Sequence, residues 1–272
     1  MSDFDTYLDA AVKIAKYAGD VIKRNATMDV LADWKGDGTP VTKTDIEINE
    51  YVINIIKKNY PDHDVLGEEG SSIPINSDYC WVCDPIDGTI PFSHGLQIST
   101  FSIALVKNGK PILGVILDPF QDLLFTSILG GGAFRNGEKL HVNSAKSLRD
   151  KIVSFDAPEW GGGIFHRLVD VSAFPCVYQS YIFGAKQVAS GHFIGSYFGW
   201  NKPFDCAAIK ILVEEAGGKT SDYVGNDQRY DRKLNGFIAS NGHVHEELLN
   251  LINEARNEFY KTGKKSRFEF ML

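Results

Sequence analysis

What this chain lacks narrows its class before any motif is read. No apolar run reaches the roughly 20 residues that a membrane-spanning helix needs, and no basic region followed by an apolar core stands at the N-terminus. A cytoplasmic location with no membrane partner is the expectation. A basic excess is missing too: 28 Lys and Arg stand against 35 Asp and Glu, a net charge of −7, which argues against a nucleic-acid partner. Cysteine is scarce, with four residues in 272, at positions 80, 83, 176 and 206. That is no disulfide framework for a chain of this length. Cys80-x-x-Cys83 sits in an apolar, strand-like stretch with no second pair to complete a zinc site, so both read as small buried hydrophobes. Repeats and low-complexity tracts are also missing. The remainder is an ordinary globular composition, 43% hydrophobic and 23% charged, long enough to bury a large core in one or two domains.

Helical spacing of Phe4, Leu8, Ala11, Ile14-Ala15, Ala18 and Ile22, behind a capping signal at Ser2-x-x-Asp5, predicts a first helix to about Arg24. Trp34 to Pro40 is a polar, Gly-rich loop, either a plain connection or a lid. Thr44-x-x-Glu47 reads as the capping box of a second helix that stops before Pro61. Asp45 falls in its first turn, where the helix dipole favours a carboxylate. Gln97 to Val106, Asn108-Gly109 and Lys110 to Leu117 read as a long hairpin, which Leu123 to Ser127 and a turn at Asn136-Gly137 extend. Gly130 to Gly132 reads as a turn or bulge. Between Ser154 and Cys176 the pattern weakens, and Val177 to Gly191 is a mixed stretch in which Gly184 weakens a helical reading. Further on, Asp205 opens a helix whose stripe is Ala207-Ala208, Ile211-Leu212 and Ala216, with Gly217-Gly218 as its stop. Gly236 to Ser240 reads as a strand. Val244, Leu248, Leu251-Ile252, Ala255 and Phe259 mark a final helix, and Lys261 to Arg267 an exposed basic tail.

The chain is organised around Trp81 to Thr89. A strand from Tyr79 to Val82 breaks at Asp84-Pro85, where proline removes a donor and forces an extended neighbour. Asp84 and Asp87 are thereby held on one tight turn. Gly88 lets backbone approach a ligand, and Thr89 can cap a following helical turn. Oxygen ligands packed this tightly, without histidine, suit a hard cation such as Mg²⁺. The bland alternative, an ordinary strand-to-turn junction, stays open at this point. Upstream, Val65 to Gly70 is another apolar run stopping at paired acids, Glu68-Glu69.

Together Asp84-Pro85-Ile86-Asp87-Gly88-Thr89, the Asp205 to Gly218 segment and the Glu68-Glu69 pair resemble the inositol monophosphatase family of metal-dependent phosphatases. The elements fall in family order across most of the chain. The resemblance implies a layered α+β and α/β sandwich of alternating helix and sheet layers, with a metal-binding half over 1–149 and a smaller half over 150–272 completing the site. It implies two or three Mg²⁺ ions, with Mn²⁺ as a substitute. One would take Glu68, Asp84 and the Ile86 carbonyl, a second Asp84, Asp87 and Asp205, and a weaker third would lean on Glu68. Thr89 and Glu68, with Asp45 behind Thr89, would position a metal-activated water, and the Gly88 and Thr89 N–H groups would grip the phosphate. Lithium sensitivity and a homodimer are further implications.

The partner implied is a small phosphorylated metabolite, a sugar or polyol phosphate. Family members that act on inositol place a Glu where this chain has Phe198, and Gly-Ser/Thr-Ala where it has Gln179-Ser180-Tyr181. Asp87, Ser180 and Phe198 are thus candidate substrate contacts, and inositol monophosphate is not expected to be the best substrate. Fructose 1,6-bisphosphate and histidinol phosphate are alternatives, as is a catalytically silent binding protein. A covalent aspartyl-phosphate phosphatase of the haloacid dehalogenase type fails on spacing, since its acids are two apart. An EF-hand fails because Asp84, Ile86 and Gly88 would fill its first odd positions.

Overall fold

The computed structural model describes residues 3–27, 30–36, 38–71, 76–156, 161–199 and 202–262. The chain opens with α1 (Asp3–Asn25), a hairpin of β1 (Ala32–Trp34) and β2 (Pro40–Thr42), and α2 (Lys43–Asn59). There follow β3 (Asp64–Gly67), β4 (Tyr79–Asp87), the short α3 (Thr89–Ser93), and β5 (Thr100–Lys107). Next are β6 (Lys110–Asp118), β7 (Leu123–Ile128), β8 (Gly132–Arg135) and β9 (Glu138–Lys139). The later half holds β10 (Ile152–Asp156), α4 (Gly161–Asp170), β11 (Phe174–Cys176), α5 (Tyr181–Ala189) and β12 (Gly195–Phe198). It ends with α6 (Ala207–Glu215), β13 (Lys219–Ser221), β14 (Phe237–Ser240) and α7 (His245–Lys261).

Five layers result. β3 to β9 form a seven-stranded sheet in chain order, antiparallel except at β3/β4, and β11-β10-β12-β14-β13 form a five-stranded mixed sheet. On one face of the larger sheet, α1 and α2 bury the stripe Ala11, Ile14, Ala18, Ile22, Ile48, Val52 and Ile56 against Trp81, Phe101 and Val115. On its other face lie α5 and α6, whose Ile182, Val188, Ile209 and Leu212 share a core with Val82, Ala104 and Ile116 as well as with Phe237 and Ala239 of the smaller sheet. The outer face of that smaller sheet is covered by α4 and α7 through Ile164, Leu168, Leu248 and Ile252. Because the larger sheet is covered on both sides, β5 and β6 read as continuous apolar runs rather than alternating ones. Their connection is the expected Asn108-Gly109 turn, with φ of 52° and 86°.

Several local expectations are corrected. The capping box of α2 is Thr42 with Asp45, not Thr44 with Glu47: Asp45 reaches back to the Thr42 N–H at 2.8 Å, and Thr44 is buried inside the helix. Trp34 pairs with Pro40 across the β1/β2 hairpin, so both ends of the expected loop are strand. α4 occupies the region where the pattern weakened, its Ile164/Leu168 stripe masked in the sequence by three opening glycines. Gly184 does not break α5. It is a point of close packing, since a Cβ there would lie 2.7 Å from the Ser154 hydroxyl on β10. α6 starts after Cys206, so Asp205 is not its N-cap. The capping signal at Ser2 and the tail beyond Thr262 lie outside the described residues.

One buried ion pair ties the middle layer to the larger sheet. Lys186 of α5 and Asp118 at the end of β6 are both fully buried and paired. Asp118 also accepts the Phe120 and Gln121 N–H groups, and the ammonium lies 4.2 Å from the Phe183 ring centre. Removing one partner strands a buried charge, so Lys186→Met is expected to cost about 3–5 kcal/mol in denaturant unfolding. Adding Asp118→Asn, which keeps the backbone bonds, should recover part of that loss. A double variant no more stable than the single one would contradict this account.

Candidate active site

The expected break at Asp84-Pro85 is a bulge inside a continuous strand. β4 runs on to Asp87, and Asp84 pairs with Ser102 while Asp87 pairs with Thr100, so three steps on β4 match two on β5. Ordinary alternation would send residues three apart to opposite faces. The extra residue cancels that, placing Asp84 and Asp87 on the face toward α5 and α6 and turning Ile86 into the core beneath α1 and α2. From the other side comes Asp205, on the turn 203–206, where Cys206 and Ala207 donate to the Pro203 carbonyl and the Phe204 carbonyl accepts from Ser102. A carboxylate oxygen from each of Asp84, Asp87 and Asp205 lies within 4.8 Å of the others, and all three residues are buried.

Their electrostatics call for a cation. Burial first, then the charges of Glu68, Asp87 and Asp205, push the Asp84 carboxyl well above its ordinary range. Burial foremost, then the charges of Glu68 and Asp87, raise the Asp205 carboxyl as well, against Lys202 and Lys35. Asp84 Oδ1 is buried without a hydrogen-bond partner among the described residues. An unsatisfied oxygen facing two more acids, with no nitrogen or sulfur donor in the set, fits a hard cation such as Mg²⁺ or Mn²⁺.

Asp87 is held differently. Its carboxylate accepts the N–H groups of Tyr181, Ile182 and Phe183 at 2.7, 3.0 and 3.3 Å, together with the hydroxyls of Thr100 and Ser180. It therefore caps the N-terminus of α5 from another sheet, where the Ser180 side chain makes no cap of its own. Burial still outweighs these bonds and leaves the carboxyl raised. Gly88 makes the approach possible: its φ is 85°, and a Cβ would stand 2.8 Å from that of Ser180.

Around the three acids stand the remaining expected residues. Glu68 follows β3, its N–H donating to the Cys83 carbonyl at 3.2 Å. It lies outside the cluster of three, and Lys35 from the hairpin tip bridges Glu68 and Glu69 at 2.9 and 2.8 Å. Burial disfavours that ammonium, but the two glutamates outweigh it and raise its pKa. Lys35 was not legible as a site residue, because only the fold brings the hairpin to β3. The Thr89 hydroxyl, expected as a cap, lies inside α3, 3.3 Å from Asp45 Oδ1 and 3.2 Å from the Ile86 carbonyl. Burial raises Asp45 to about 7, against the opposing Thr42 hydrogen bonds. Phe198 lies on the inner face of the smaller sheet, in the core shared with α5 and α6. It is 2% exposed, stacked 5.5 Å from Phe237 and packed 5.2 Å from Tyr181, so its ring backs Tyr181. The Ser180 hydroxyl donates to Asp87.

A raised carboxyl contributes stability below its ordinary pKa of 3.8 and loses it as pH rises through the folded value. In chelator, Asp84→Asn is therefore expected to melt higher than the parent, by a margin that widens from about pH 4 upward. Added Mg²⁺ should raise the melting temperature of the parent and not of the variant. Equal Mg²⁺ stabilisation of both would exclude Asp84 as a ligand.

Comparisons with known proteins agree with this geometry. The pattern of the inositol monophosphatase family matches residues 3–258. A Thermotoga maritima protein named fructose-1,6-bisphosphatase/inositol-1-monophosphatase is 32% identical, over 92% of this chain and 97% of its own. The Nus factor SuhB of Haemophilus influenzae is 34% identical, over 90% of this chain and 95% of its own. The solved structure of a Thermotoga maritima IMPase superposes with a TM-score of 0.86 at 31% identity, covering 93% of this chain and 99% of that one. The layered fold is shared with such proteins, and the chain belongs to the inositol monophosphatase family of phosphatases.

Proposed function

We propose that this phosphatase hydrolyses a small sugar or polyol phosphate monoester by direct attack of water, with Mg²⁺ held by Asp84, Asp87 and Asp205. The observation that carries the reading is the buried three-acid cluster with its unsatisfied Asp84 oxygen. Bound there, Mg²⁺ supplies charge neutralisation for the phosphate and a lowered pKa for a neighbouring water. The protein's own part is positioning, which is most of what phosphoryl transfer asks of it. When the Thr89 hydroxyl donates to Asp45, its lone pairs are free to accept from the attacking water. Asp45, held near 7 by burial, is suited to share that proton at neutral pH. The N–H groups of Gly88 and Thr89 receive the phosphate oxygens, Glu68 orients the water from the rim, and Lys35 adds positive charge beside it. The relative named for both fructose 1,6-bisphosphate and inositol 1-phosphate supports an alcohol portion bearing several hydroxyls.

The test is phosphate release from inositol monophosphate, fructose 1,6-bisphosphate and histidinol phosphate with Mg²⁺, Mn²⁺, chelator or added Li⁺. Release is expected with either divalent ion, none in chelator, and less with Li⁺ at limiting Mg²⁺. Asp45→Asn should lower kcat by about 10²-fold or more with little change in KM. Mg²⁺ binding by titration without release from any ester would favour a silent binding protein instead.

A further inference from the structure

A fourth acid stands beside the cluster with no part in the chemistry described. Asp156 ends β10, and strand alternation fixes its side. Val153 and Phe155 point into the core under α4 and α7, whereas the Ser154 hydroxyl faces Ser196 and the close-packed Gly184 of α5. Asp156, two residues after Ser154, shares that inner face and looks toward the start of α5, where Asp87 is bound. Its cross-strand partner is Phe198, which shares its face of the sheet.

The surroundings of Asp156 are those of a binding group. Its Oδ2 is buried and has no hydrogen-bond partner among the described residues. Burial, and after it the charge of Asp87, raise its carboxyl to about 7, so its ionised form goes uncompensated there. The phenol of Tyr181 is raised well above its ordinary value by burial first, then by the charges of Asp156, Asp205, Asp87 and Glu68. Tyr181, whose N–H donates to Asp87, feels both Asp156 and, of the three acids, Asp205 and Asp87, and its ring is backed by Phe198. An unsatisfied buried acceptor costs stability and is relieved by a donor.

Resting on the phosphatase reading above, we propose that Asp156 is a specificity-determining residue, whose Oδ2 accepts a hydrogen bond from a hydroxyl on the alcohol portion of the phosphate ester. The alcohol is thereby gripped from the end of β10. A contact made equally in the ground and transition states acts on KM and leaves kcat unchanged.

The experiment compares the full chain with Asp156→Leu, close in size and without an acceptor, and with Asp156→Asn, which keeps one acceptor. Inositol 1-phosphate and fructose 1,6-bisphosphate are the hydroxyl-bearing probes, and phenyl phosphate is the probe without hydroxyls, all with Mg²⁺. For Asp156→Leu, KM for the better hydroxyl-bearing ester should rise about tenfold or more. Phenyl phosphate constants should stay within about twofold, and thermal melting should rise because an uncompensated group is gone. Asp156→Asn should fall between parent and Leu variant on the hydroxyl-bearing ester. Equal losses on all esters with a lowered melting temperature would make Asp156 structural and overturn the proposal. Unchanged selectivity in a fully active Leu variant would overturn it as well. A parent that releases phosphate from none of the esters would instead defeat the phosphatase reading, and this proposal with it.

Discussion

Everything near the centre of this molecule answers to one cost, that of holding Asp84, Asp87 and Asp205 together away from water. Like charges buried this closely repel, and desolvation adds to the repulsion. The fold meets the cost in three ways. Asp87 is satisfied by an α-helix N-terminus and two hydroxyls. The charge of Glu68 is shared with Lys35. Asp84 is left unsatisfied, a residual demand that a hard cation would answer.

The same arrangement explains why α5 and α6 form the middle layer. The larger sheet contributes Asp84 and Asp87, the turn before α6 contributes Asp205, and α5 presents its first N–H groups to Asp87. The hydrogen bonds that tame a site carboxylate are also what dock the later half of the chain on the earlier one. At the other end of that contact, Lys186 and Asp118 pair in full burial. Site geometry and sheet-to-sheet packing are therefore coupled: moving α5 would shift Asp87 and the Tyr181 wall together. Gly88 and Gly184 are the contact points where any side chain would hold α5 away.

Covering both faces of a sheet has a further consequence. β5 and β6 lose the alternation that usually marks which side of a strand faces a site. The bulge in β4 carries that information instead, by turning a three-residue spacing into a shared face. A simple alternating reading of Asp84 to Asp87 would have parted the two acids.

Much of this was legible from the residues alone. The α1 and α2 stripes, the Asn108-Gly109 hairpin, the terminal helix and the acids at 68, 84, 87 and 205 follow from local periodicity, turn chemistry and ordered motifs, all of which are written in consecutive residues. The capping box at Thr42 and the start of α6 were misplaced, because caps depend on which side chain reaches which N–H, and the helix at Gly161–Asp170 was missed behind its opening glycines. Lys35, Ser180, Phe198 and Asp156 belong to a different kind of fact. Whether a lysine in a glycine-rich loop meets Glu68, or a phenylalanine at a substrate position turns inward onto Phe237, depends on elements far apart in the chain. The sequence by itself determined which groups could do phosphoryl chemistry, since the ligand types and their order are local. Only the tertiary structure decided which of them are satisfied and which remain in demand, since hydrogen bonding and desolvation are set by neighbours that the linear chain does not specify.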